Sequence, residues 1–189
     1  MERDLTGHPE ESMLSLHNGP DSKLVWLPVT RGDRYVLCSR AGGDPYATLT
    51  RERGSVVAGV SAEGSWTFRR EGFHRVRVTT RTPDGEQEFA TFQLGRKGEG
   101  LLETIGGSCW AWFLRGFWRQ EHEFLHTERE PVVTVRPDVA GKIQVNVARL
   151  TQSLPELPVL AMLGAYLALM ARDETVTMMT ALTAGNSVS

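Results

Sequence analysis

Cysteine is scarce in this chain of 189 residues: Cys38 and Cys109 are the two, far apart and outside any Cys-x-x-Cys spacing. A disulfide framework and a paired-thiol redox centre are therefore not expected. Both residues read as buried free thiols in a reducing compartment. Residues 1–22 are polar and acidic, with no apolar core of a secretory signal, so the expected location is cytoplasmic. Charge of one sign is also lacking. A net charge of −2 carries no electrostatic signature of nucleic-acid binding. No Walker loop is present, since Gly95-Arg-Lys-Gly98 has the wrong spacing, and there is no Gly-x-Ser-x-Gly. Asp33, Asp44, Asp84 and Asp138 sit in turn-like contexts, where Asp is favoured for local hydrogen bonding, and no Ser/His/Asp set stands above chance.

What the chain does have is a succession of short apolar runs broken by turn residues. They are KLVWLP, DRYVLCS, YATLT, SVVAGV, SWTF, FHRVRVTTR, EQEFATF, LLETI, CWAWFL, a run within residues 117–126, PVVTVR and KIQVNVA. These make about twelve candidate strands. AGGDP at 41–45 and TPDGE at 82–86 are turn signals, the Asp84-Gly85 pair suiting a tight hairpin. Many short strands with such punctuation indicate a sandwich or barrel.

Residues 158–171, PVLAMLGAYLALMA, break the pattern, with no charged side chain. A helix apolar on every side must be buried on every side. It is shorter than the roughly 20 residues that cross a bilayer, so no transmembrane segment is expected. Pro158 suits its first turn, and Arg172-Asp-Glu174 reads as its stop. Gly164 implies close approach to a wall, and a buried Tyr166 needs a hydroxyl partner. An eight-stranded barrel is filled by its own side chains, whereas about twelve strands leave room for a helix roughly 10–12 Å across. The expected fold is mainly β, a closed antiparallel barrel of about twelve strands around one hydrophobic C-terminal helix. Residues 23–174 form the barrel with its central helix at 158–171. Residues 1–22 are expected to be a mobile arm and 175–189 a frayed tail.

This combination resembles the tubby C-terminal-like superfamily, which includes the tubby domain, the phospholipid scramblases and the plant LURP-one-related proteins. The resemblance covers residues 23–172. It is carried by the strand count, by GSWTFRREGFHRVRV at 64–78, by GGSCWAWFLRGFWRQEHEFL at 106–125 and by LPELPVLAMLGAYLALMARDE at 154–174. The last segment is similar to the helix of small bacterial members. The resemblance implies a twelve-stranded barrel around a near-C-terminal helix. It transfers no functional residue: the acidic calcium segment and cysteine cluster of scramblases are absent, and the phosphoinositide-binding residues of tubby have no counterpart here.

Residues 122–126, HEFLH, match the zinc-peptidase pattern. On a helix, His122 and His126 would share a face and hold zinc while Glu123 polarised a water. On a strand, the two histidines face one way and Glu123 the other, and the residues are surface-strand side chains. A second candidate is the basic stripe Arg75, Arg77 and Arg81 on one face of FHRVRVTTR. Arginine forks there would hold an anionic lipid headgroup or another phosphate-bearing partner; the plainer reading is a solvated face neutralised by Glu86 and Glu88. The aromatic cluster Trp110, Trp112, Phe113, Phe117 and Trp118 serves either barrel packing or an interface with a membrane or a protein partner. The favoured reading is a non-enzymatic scaffold or binding module without a cofactor. The alternatives are a zinc hydrolase and a homo-oligomeric structural protein.

Overall fold

The computed structural model describes residues 13–18, 23–30, 33–52, 56–72, 74–82, 85–115, 121–126, 130–138 and 140–185. The apolar runs form twelve strands: β1 (Lys23–Thr30), β2 (Arg34–Ser39), β3 (Ala47–Arg51), β4 (Val56–Ser61), β5 (Gly64–Glu71), β6 (Arg75–Thr82), β7 (Gly85–Leu94), β8 (Gly100–Thr104), β9 (Cys109–Arg115), β10 (Glu121–Leu125), β11 (Pro131–Pro137) and β12 (Ile143–Val147). Each pairs antiparallel with its sequence neighbours, and β1 pairs with β12 from Lys23↔Asn146 to Trp26↔Ile143, closing the barrel. Closure removes the unpaired edges of an open sheet.

Alternation decides which side chains enter the lumen. On β12, Ile143, Val145 and Val147 are buried while Gln144 and Asn146 are half-buried on the other face. Trp26, Leu37, Phe68, Phe92, Leu102 and Phe124 complete an apolar lining with almost no exposed surface. Charges lie outside. An apolar interior with a charged exterior reverses the arrangement of a transmembrane β-barrel. Among the described residues, no helix is long and apolar enough to cross a membrane.

The lumen is filled by the first part of α1 (Leu157–Gly185), whose residues 157–169 are all buried. Each large side chain placed there contributes roughly 1.5–3 kcal/mol. Gly164 lies against β11: a Cβ would be 2.7 Å from Val135 Cγ2 and 3.5 Å from both Phe124 and Trp112. On β4, Gly59 gives way to the same helix, since a Cβ there would meet Met162 Sδ at 2.6 Å. Tyr166 stacks on Phe68 with ring centroids 5.8 Å apart, and its hydroxyl is met by the Arg70 backbone. One end of the barrel holds Glu156, which accepts a 2.7 Å hydrogen bond from Ser108 Oγ in the β8–β9 turn. At the opposite end Asp173 pairs with Arg51 at 2.7 Å.

Three expectations need correction. The helix does not stop at Arg172-Asp-Glu174; it continues to Gly185. Those charges mark where α1 leaves the apolar lumen, and charge alone does not terminate a helix. The segment expected as an arm has a packed part, a 3-10 turn at Leu16–Asn18. Leu16 is 3% exposed, its N–H donates to Glu63 Oε1 at 2.7 Å, and His17 Nδ1 lies 2.6 Å from the Gln152 carbonyl. This turn closes the end of the barrel at which α1 enters. Leu14 N–H also donates to the Pro45 carbonyl at 2.9 Å, and residues 1–12 and 19–22 lie outside the described residues. The two cysteines are free, as expected, yet Cys109 is exposed and Cys38 only half-buried. Burial raises the Cys38 thiol above its ordinary range.

Candidate functional site

Because α1 occupies the lumen, binding chemistry falls to the rims and the outer wall. Of HEFLH, His122–Leu125 are extended on β10 and His126 directly follows the end of the strand. The two histidines are about 13 Å apart along the strand at roughly 3.3 Å per residue, and each meets a different tryptophan. His122 stacks on Trp112 with centroids 4.9 Å apart, and His126 lies against Trp110 at 4.8 Å. Glu123 points to the other face, almost buried, and accepts a 2.7 Å hydrogen bond from Arg115. That bond and the Glu123 charge push the Arg115 guanidinium up. The helical zinc arrangement is therefore overturned: strand period two separates the base from the ligands and the ligands from each other. Among the described residues, no three His, Cys, Asp or Glu side chains come together as a metal-holding group. His122 differs also from a surface histidine. It is half-buried, its Nδ1 has no hydrogen-bond partner among the described residues, and burial pulls its pKa down.

The aromatic cluster divides by strand parity. Trp110 and Trp112 are buried lumen side chains, Phe113 is exposed, and Phe117 and Trp118 lie outside the described residues.

The basic stripe lies on the outer wall, where β6 runs between β5 and β7. Arg75 and Arg77 both approach Glu71, at 3.9 and 2.9 Å; the Arg77 Nε contact is close without hydrogen-bond alignment. Arg81 turns away from them. Its NH2 group donates to both Glu52 oxygens at 2.9 and 3.1 Å, its Nε donates to Thr67 Oγ1 at 2.8 Å, and Glu86 is 3.8 Å away. The three arginines thus form two separate groups.

Arg69 lies outside the stripe that the sequence singles out. It stands on β5 directly opposite Arg77, in the register Arg69↔Arg77 and Glu71↔Arg75. Two like charges face to face are unfavourable unless something lies between or beside them. A depression of about 190 Å³ lies there, lined by Arg69, Arg77, Thr79, Glu86 and Glu88. A bulge creates its acidic side. The pairing shifts between Val78↔Ala90 and Thr79↔Glu88, leaving Phe89 as an extra residue on β7. The extra residue reverses the alternation, so Glu86 and Glu88 share the outer face with Thr91. Glu86 accepts from the Thr67 and Thr79 hydroxyls at 3.3 and 3.4 Å, and Glu88 accepts from Thr91 at 3.0 Å. The depression thus brings two guanidinium groups, two carboxylates and the Thr79 hydroxyl to one place, and the guanidinium pair is the part of it that a phosphate oxygen would meet.

Comparison with protein-family models, with curated proteins and with solved structures finds no match for this chain.

Proposed function

We propose that this protein is a non-enzymatic binding module of the tubby-like kind, which presents the outer face of β5–β7 to a phosphate-bearing headgroup. The observation that carries this reading is the Arg69–Arg77 pair above the depression, on a barrel whose lumen is already occupied by α1. The twelve-stranded closed barrel and its central helix support the tubby-like assignment. The extended backbone at His122–Leu125 supports a binding role over a hydrolytic one. The functional unit is the barrel with α1 and the 3-10 turn, and two unpaired thiols favour the cytoplasm.

Vesicle flotation tests the reading. Vesicles carrying a phosphomonoester lipid should retain the protein, and neutral phosphatidylcholine vesicles should retain much less. Replacing Arg69 and Arg77 together with Gln should abolish the difference. Equal partitioning of this variant and the parent would remove the outer face as the binding surface.

A further inference from the structure

The charges around the depression do not cancel one another. Arg77 is paired with Glu71 and Arg81 with Glu52, while Glu86 is held by two threonine hydroxyls with Arg81 at 3.8 Å. Two lining groups lack an opposite charge among the described residues. Arg69 has no ion pair, and Glu88 has only the Thr91 hydroxyl. They do not pair with each other in this structure: β6 stands between their strands, and although Thr67 of β5 meets Glu86 of β7 across it at 3.3 Å, Arg69 and Glu88 lie one row apart. Arg69 belongs to the row Arg69–Arg77–Thr91, and Glu88 to the adjacent row, opposite Thr79. One cation and one anion therefore face a common space from opposite sides. A simple anion would satisfy Arg69 but bring like charge against Glu88 and Glu86.

We infer that the depression binds a zwitterion, a phosphate joined to a primary ammonium by a short linker, with the phosphate on Arg69 and Arg77 and the ammonium on Glu88. This rests on the outer-face reading above and narrows it from anions to phosphate–amine compounds. The shared chemistry belongs both to a free phosphoamine and to an ethanolamine phospholipid headgroup. The bulge at Phe89 is essential to it, since regular alternation would turn Glu88 toward the lumen.

The test is a titration of isotope-labelled protein, followed by amide shifts on β5–β7, with O-phosphoethanolamine, inorganic phosphate and ethanolamine. O-phosphoethanolamine should bind about tenfold more tightly than phosphate, the worth of one added charge-assisted hydrogen bond. Glu88→Gln should remove that advantage and leave phosphate binding equal or stronger. Arg69→Gln should weaken both. Phosphate binding as tightly as O-phosphoethanolamine, or a Glu88→Gln variant that keeps the tenfold preference, overturns the zwitterion while leaving the outer-face reading in place. If none of the three compounds shifts β5–β7 and vesicles with ethanolamine or phosphomonoester headgroups retain no protein, both fall. Flotation on phosphatidylethanolamine vesicles, lost in Glu88→Gln and in Arg69→Gln, identifies the lipid as the source; free-ligand binding without flotation identifies the soluble compound.

Discussion

Gly164 and Val135 meet where α1 comes closest to the barrel wall, and a Cβ on the glycine would lie 2.7 Å from Val135 Cγ2. Val135 is fully buried and β-branched, so it has little freedom to move aside. Gly164→Ala gains about 1 kcal/mol of helix propensity and incurs roughly 1–3 kcal/mol of overpacking. The expected outcome is a net loss near 1 kcal/mol. In a Val135→Ala background the same change should become neutral or stabilising. Urea midpoints of the four proteins measure the coupling, and additive values would contradict the contact.

Leu163 has no exposed surface in the centre of the enclosed helix. Leu163→Asp places an unpaired carboxylate there, at a cost beyond the several kcal/mol that hold a domain together. The variant should lose the whole barrel, visible as loss of strand circular dichroism. Native-like thermal stability would contradict an enclosed helix.

His122 ties stability to acid. Burial lowers its pKa, so the unfolded chain takes up a proton near pH 6.5, the ordinary imidazole value, while the folded chain does not. Its effect on stability is absent above that pH, and stability is lost as pH falls toward the depressed folded value. His122→Gln should flatten the decline in unfolding midpoint as pH falls from neutral through the ordinary imidazole value of about 6.5. Parallel pH profiles for parent and variant would rule this out.

Tyr166 acts at the alkaline end. Burial is the largest influence and pushes its phenol up to about 12, against the opposing charges of Arg70 and Arg51. The unfolded phenol ionises from about pH 10, so the stability present below that pH is lost as pH rises through the folded value. The loss is roughly 2–3 kcal/mol. Tyr166→Phe should be less sensitive over the same interval, and an unchanged alkaline slope would mean that the phenol titrates in solvent.

Much of this architecture is legible in the residue order because parity and period are local. Ile143, Val145 and Val147 announce a strand with one apolar face, and an uncharged PVLAMLGAYLALMA can only be enclosed. Gly164 is readable too, as a residue whose missing side chain makes room. The end of α1 is not: Arg172, Asp173 and Glu174 look like a stop, but Asp173 is held by Arg51 from a distant strand. Leu16 looks incidental among polar neighbours until Glu63 and Gln152 receive its turn. The candidate site was half visible. Arg77 stands out on its strand, whereas Arg69 gains meaning only from the β5–β6 register, and Glu88 only from a one-residue bulge whose position no local pattern encodes.

The barrel wall joins β1 to β12, and the helix that fills it follows β12 in the chain. Synthesis therefore delivers the wall before its filling. A ribosome that has released the twelve strands has released a curved sheet with a bare apolar face and two edges open for pairing. Sealing Lys23 against Asn146 too early would shut the helix out, so closure and helix capture belong to one late event. Such distant pairing is slow, and the waiting sheet is the state in which this chain is most exposed to aggregation. A chain cut before Leu157 would remain in that state permanently, with every strand present and nothing for them to surround.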